Sequence, residues 1–332
     1  MGIRVLDCTL RDGGHVNKAR FGENTIREIV KNLSLAKTDI IEVGFLRNGD
    51  FSQEESNFSK IEEVYPFLPE NSVSQYSLMI RPDWYDISLL SKNCGKINFL
   101  RFAFYYKDLE LTKKYAGVAR TLGYKFFLNP VNLPGYDLPQ LRQLIAEINQ
   151  IRPFAMTIVD TYGQLEMERL EEIYSCIEEN LNIDIAVDFH SHENLNLSFA
   201  LARHFLNIHN PKREVFVDAS LQGMGRMPGN LCTEIIMDYL NEHYAKSYNL
   251  DFVLEAIDTH ISPLKKIYGW GYCPAYYMSA KLKIHRSYVE FLLEKEVPLP
   301  QMRKILVEVK KTGKGAFFDK ELISNLYQRT AL

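Results

Sequence analysis

Several things are scarce in this 332-residue chain, and each scarcity removes a class of protein. Cys8, Cys94, Cys176, Cys232 and Cys273 are scattered, odd in number and form no CxxC. That argues against a disulfide framework and fits reduced thiols in a cytoplasmic protein. No apolar run approaches the roughly 18 residues of a membrane span, so no membrane partner is expected. Neither sign of charge is in surplus: 39 Lys+Arg stand against 42 Asp+Glu, without the basic footprint of a nucleic-acid binder. The segment Met1-Gly2-Ile3-Arg4-Val5-Leu6-Asp7 places an acid where a signal peptide keeps its apolar stretch. No GxGxxG turn follows the first apolar run, which counts against an open dinucleotide-binding sheet.

What is present is a core: 46% of residues are apolar, too many for a disordered chain. Short β-branched or apolar runs at 3–10, 39–45, 73–80, 97–104, 125–128, 155–159, 184–189 and 214–219 read as strands. Helical periodicity lies between most of them: 23–36, 109–122, a helix capped by Asp137, and the apolar face Met167, Leu170, Ile173, Tyr174, Ile177 and Leu181. Eight buried strands with helical crossovers predict an α/β fold, a (β/α)8 TIM barrel. From about Ser262 the alternation stops, and 275–293, 299–311 and 320–330 read as helices. The expected organisation is a barrel over 1–261 with a C-terminal helical appendage, 262–332, packed on it.

In a barrel the chemistry collects where strands end, on the carboxyl face. His190 and His192 share one side of a strand, so both imidazoles can reach one ion. Imidazole suits several transition metals, while the oxygens of Asp12 and Asn230 shift the choice toward Mn2+ or Mg2+. Arg11 beside Asp12 reaches the same cavity only if the chain turns locally, which Gly13-Gly14 makes easy. A metal with a guanidinium suits an enolate, and His15 is a candidate general base. Glu42, Arg101, Asp160 and Arg226 stand at other strand ends or in the Gly223–Asn230 loop and are candidate substrate contacts. Tyr268, Tyr272, Tyr276 and Tyr277 are expected to pack, with one of them a candidate to cover the barrel mouth.

Asp7-Cys8-Thr9-Leu10-Arg11-Asp12-Gly13 resembles the DxTLRDG signature of the DRE-TIM superfamily, the metal-dependent pyruvate aldolases, acyl-CoA lyases and isopropylmalate synthases. Ile41-Glu42-Val43-Gly44, Asp160-Thr161-Tyr162-Gly163, the HxH, and Gly223–Asn230 with Thr233-Glu234 extend the likeness across about residues 5–235. Within the superfamily the chain is most similar to the 4-hydroxy-2-oxovalerate aldolases, because His15 falls where they carry a histidine. The resemblance implies a metal held by Asp12, His190 and His192, with Asn230 as in the acyl-CoA lyases. It further implies Arg11 on the enolate and His15 in proton transfer. The implied ion is Mn2+, with Mg2+, Co2+ or Zn2+ as alternatives. The implied reaction makes or breaks a C–C bond between a 2-oxo acid and an aldehyde.

The departures are specific. Arg226 and Met227 stand where the acyl-CoA lyases carry a flap cysteine, and Cys232 lies beyond the loop. No motif after residue 262 matches a segment that docks an aldehyde dehydrogenase, which argues against such a partner; a homo-oligomer is compatible with the appendage. The rival readings are a Claisen-type synthase or lyase using acyl-CoA, which thiol release would reveal, and a non-catalytic binding barrel, which would hold metal without exchanging pyruvate protons.

Overall fold

The computed structural model describes residues 2–226 and 228–330. Met227 lies outside the described residues. Eight parallel strands run Ile3–Asp7 (β1), Ile40–Leu46 (β2), Gln75–Ile80 (β3), Phe99–Phe104 (β4), Lys125–Pro130 (β5), Ala155–Val159 (β6), Ala186–His190 (β7) and Val215–Ala219 (β8). Each pairs with the next, and β1 pairs with both β2 and β8, which closes the barrel. The expected (β/α)8 architecture with C-terminal helices is therefore what the chain forms.

Two crossovers differ from the alternating pattern. Between β2 and β3, and between β3 and β4, there are short 3-10 helices (Ile61–Phe67 and Ile87–Leu89) instead of α-helices. Pro66, Pro69, Pro82 and Gly95 punctuate these segments, and proline removes the backbone donor that a longer helix needs. The remaining crossovers use Glu23–Leu35, Leu109–Thr121, Leu138–Ile151, Met167–Asn180 and Ser198–Ile208. Asp137 caps its helix as expected, accepting from the Gln140 amide at 2.8 Å.

The period of two along the strands sorts the barrel interior into layers. At the bottom, Leu6, Ile40, Phe99, Phe127, Ala155, Ala186 and Phe216 form an apolar plug. Two residues on, every one of these strands turns polar or thiol-bearing: Cys8, Glu42, Arg101, Asn129, Thr157, Asp188 and Asp218, all buried. Two further on, Ala103, Val131, Val159 and His190 line a cavity at the mouth. The polar layer thus lies between a sealed base and the site.

The bulge in β2 between Glu42 and Gly44 helps to set this register. A Cβ at Gly44 would overlap the Ser56 carbonyl oxygen, which instead accepts the Phe45 amide at 3.0 Å. Only glycine lets the Ser56 backbone lie this close, directly after the strand has delivered Glu42 to the polar layer.

The helical run Leu250–Tyr268 crosses position 261/262 without a break. The appendage has its own apolar core, from Ala275 through Leu292 and Leu306 to Ile323. The expected single helix 275–293 is two, Pro274–Leu282 and Ser287–Glu294, parted by Lys283 in a left-handed conformation (φ 54°). Apolar periodicity runs through the break, but tertiary contacts override it. The His285 amide donates to the Gly315 carbonyl at 2.7 Å, and Gly315 sits so tightly against Ile284 that a Cβ would clash. Among the described residues no helix is long and apolar enough to cross a membrane.

Candidate functional site

The polar layer is an ionic cluster centred on Arg101. Its guanidinium donates to Glu42 at 3.1 Å, Asp188 at 2.7 Å and Asp218 at 2.6 Å, and stacks on Phe127 at 5.5 Å. Burial alone would discharge this arginine, but three carboxylates outweigh that and hold its pKa above the usual range. Glu42 also accepts from Arg11 Nε at 2.6 Å, and Arg11 Nη1 donates to Asp12 at 2.6 Å. Burial raises Asp12, yet Arg11 and the neighbouring histidines override it and keep the carboxyl well below its ordinary value.

Arg11 and Asp12 both reach the cavity because the chain leaves β1 as one π-helical turn, Thr9–Gly13. The Cys8 carbonyl accepts from the amides of Arg11 and Asp12 at 3.1 and 2.7 Å. The local turn expected from the sequence is present, but its reason is different. Gly13 and Gly14 are ordinary right-handed residues. Gly13 matters by closeness, since a Cβ there would lie 3.0 Å from the Met224 side chain. Asp7 anchors the turn by accepting from the Thr9 amide at 2.9 Å and the Thr233 hydroxyl at 2.6 Å, and burial pushes it up to about 6.

One ligand atom each from Asp12, His190 and His192 falls within 4.8 Å of the others. Each imidazole is oriented from behind: His190 Nδ1 bonds Asp218 at 2.9 Å and His192 Nδ1 bonds the Asp160 carbonyl at 2.9 Å. Such bonds fix the tautomer and leave the other ring nitrogen free as a donor, the usual backing of a metal-binding histidine. His192 Nε2 lies 3.7 Å from Asp12 Oδ2. Asn230 Nδ2 donates to Asp12 at 3.0 Å, while its buried Oδ1 has no partner among the described residues. The hydrogen-bond network decides which way an amide points, so turning this one would present an oxygen to the cluster. The donor set, one carboxylate and two backed imidazoles beside an orphaned amide oxygen, fits a divalent cation.

His15, Arg81, Trp84, Tyr105, Arg226 and Arg286 complete the cavity wall around these groups. His15 packs on Phe45 with ring centroids 5.5 Å apart. Burial, then the charge of Arg226, pushes its imidazole down to about 3, so it is neutral at pH 7 rather than half-titrated. We expect 15N chemical shifts of His15 in the metal-free protein to stay constant from pH 8 to pH 5. A midpoint near 6.5 would show the ring to be solvated.

The candidates predicted from sequence fall into two groups. Arg11, Asp12, His15, His190, His192 and Arg226 line one cavity, with Asn230 bonded to Asp12 beside it. Glu42 and Arg101 lie beneath the cavity, fully buried, and Asp160 spends its carboxylate on the Gln164 and Leu165 amides at 2.9 and 3.1 Å. None of these three lines the cavity; they position what does. Of the appendage tyrosines, Tyr276 is buried while Tyr268, Tyr272 and Tyr277 are exposed, and none lines the cavity. The appendage residue that does is Arg286, which sequence reading passed over because it sits inside an expected continuous helix. Asp218 was equally missed; its position two residues beyond the plug residue Phe216 was the available signal.

Fold and site together define the class, an eight-stranded parallel (β/α)8 barrel with a candidate metal cluster at the carboxyl ends of its strands. Residues 108–259 match the model of the HMGL-like family. It is similar to the 4-hydroxy-2-oxovalerate aldolase of Geobacillus genomosp. 3, 26% identical over 273 residues, 79% of this chain and 77% of that one. Solved structures that share the fold include two that illustrate its range. One is hydroxymethylglutaryl-CoA lyase from Pseudomonas aeruginosa, with a TM-score of 0.63 and 16% identity, covering 80% of this chain and 94% of that one. The other is the carboxyl transferase domain of Rhizobium etli pyruvate carboxylase with pyruvate, at 0.73 and 12%, covering 98% and 62%.

Proposed function

We propose that this protein is a divalent-metal-dependent carbon–carbon lyase of the pyruvate aldolase type, acting on a 4-hydroxy-2-oxo acid or forming one from a 2-oxo acid and an aldehyde. The observation that carries this reading is the convergence of Asp12, His190 and His192 beside a fixed Arg11. The similarity to 4-hydroxy-2-oxovalerate aldolases supports the same reading. A divalent ion held by Asp12, His190 and His192, with Asn230 as a further donor, would supply Lewis acidity toward the oxygens of the 2-oxo acid; Mn2+ is the first choice, Mg2+, Co2+ or Zn2+ the alternatives.

The chain's own groups divide the remaining work. Arg11 spends Nε on Glu42 and Nη1 on Asp12, so Nη2 is the nitrogen left to meet an enolate oxygen. Its position is held by two carboxylates before substrate arrives, so little reorganisation is needed as charge develops. His15, neutral in this wall, takes the C4 hydroxyl proton as the C3–C4 bond breaks. The bond's electron pair passes into the enolate, and protonation at C3 yields pyruvate. Condensation reverses each step.

The test is deuterium exchange into the methyl group of pyruvate, followed by NMR, with added Mn2+ and with chelator. Exchange should require the metal, and the same sample should release pyruvate from 4-hydroxy-2-oxovalerate. Undiminished exchange after exhaustive chelation would sink the scheme.

A further inference from the structure

Four arginines, Arg11, Arg81, Arg226 and Arg286, line this cavity, and Asp12 is the one carboxylate that lines it with them among the described residues. Three of the four are accounted for. Arg11 is held by Glu42 and Asp12. Arg81 makes two bonds to Asp83, at 2.9 and 2.6 Å, while lying on Trp84 at 4.2 Å. Arg286 is ion-paired with Glu290 at 3.4 Å, although its buried Nε makes no hydrogen bond among the described residues. The Arg226 guanidinium has no hydrogen-bond or ion-pair partner among the described residues.

Arg226 nevertheless lines the cavity together with a second cation, Arg286. Burial and the charge of Arg286 together hold its pKa down to about 10. Two guanidiniums held together in a partly desolvated wall are unfavourable unless an anion joins them. Arg226 and Arg286 share this cavity with His15, the group with which an aldehyde oxygen exchanges its proton in the reading above.

We infer that the acceptor aldehyde carries an anionic end group, a carboxylate or a phosphate, bound between Arg226 and Arg286. The inference rests on the lyase reading proposed above and names the substrate class of the same site. In condensation the enolate C3 bonds to the aldehyde carbon, the carbonyl electron pair moves onto oxygen, and that oxygen takes one proton. Cleavage reverses this, and no oxidant or reductant is involved. The anionic tail does not react; it orients the aldehyde. Arg226 and Arg286 are thus specificity residues, one from the barrel loop and one from the appendage.

The experiment uses the full chain with added Mn2+ and saturating pyruvate, and compares matched acceptors: 4-oxobutanoate against pentanal, and glycolaldehyde phosphate against glycolaldehyde. One anionic acceptor should exceed its neutral counterpart about 100-fold in kcat/KM, as expected of two charge-assisted bonds. Whichever pair shows the preference identifies carboxylate or phosphate as the tail. Arg226→Met and Arg286→Met should each shrink that ratio roughly tenfold, and Arg226→Lys should keep part of it. Equal use of charged and neutral acceptors would overturn the inference, as would a ratio that neither variant moves. A raised KM for pyruvate with every acceptor alike would also overturn it, by assigning the two arginines to the pyruvate carboxylate. Deuterium exchange into pyruvate separates the failures. Exchange without an anionic preference removes this inference alone, whereas no exchange removes the lyase reading beneath it.

Discussion

Arg101→Met is expected to destabilise the protein by about 3–5 kcal/mol at pH 8, read as a lower urea midpoint, because it leaves buried charge without a partner. Arg101 has no exposed surface and serves Glu42, Asp188 and Asp218 together. Methionine fills much of the space but neutralises none of them. The loss should depend on pH, and the sign follows from Asp188. Burial and the neighbouring Asp218 push its pKa up to about 7 even with Arg101 present. A carboxyl raised in the folded state contributes stability that is full below the unfolded value near 4 and lost as pH rises through the folded value. Without Arg101 the folded value rises further, so the variant should recover stability between pH 8 and pH 5 relative to the parent. A small loss that ignores pH would mean the layer is not ionised as described.

Arg11→Lys is expected to lower kcat for pyruvate exchange by about 100- to 1000-fold, the range for losing a preorganised donor to a developing oxyanion. KM should change by less than about threefold, since the interaction strengthens mainly in the transition state. Lysine keeps the charge but not the planar fork, and it cannot bind Glu42 and Asp12 while offering a third nitrogen to substrate. The control is thermal stability, because Glu42 retains Arg101 at 3.1 Å. A kcat within fivefold of the parent would remove Arg11 from the enolate-binding role.

Short-range interactions leave their pattern in the local sequence, and long-range ones do not. Strand and helix identity were legible because burial imposes periods of 2 and 3.6 on local sequence. Ala155–Val159, Leu299–Lys311 and Lys320–Thr330 lie where their patterns placed them. The closed barrel followed from counting such elements. The candidate residues were legible in part for the same reason, since an HxH at a strand end and the DCTLRDG turn are local patterns.

Other features were decided by contacts between distant residues. Glu42, Arg101, Asp188 and Asp218 are each one charged residue in an apolar strand, and only barrel closure turns them into one ionic layer beneath the site. His15 has an ordinary titration range in an isolated chain; burial beside Arg226 makes it neutral. Arg286 sits within a stretch whose periodicity reads as unbroken helix, and the Gly315 contact across the appendage breaks that helix and leaves Arg286 in the cavity wall. The sequence by itself determined the barrel, its strand order and the residue types gathered at its mouth, because these follow from local periodicity and chain connectivity. The tertiary structure alone decided which charges are paired, which imidazole is neutral and that the appendage lends the site an arginine, because electrostatics and close packing depend on distances that sequence separation does not encode.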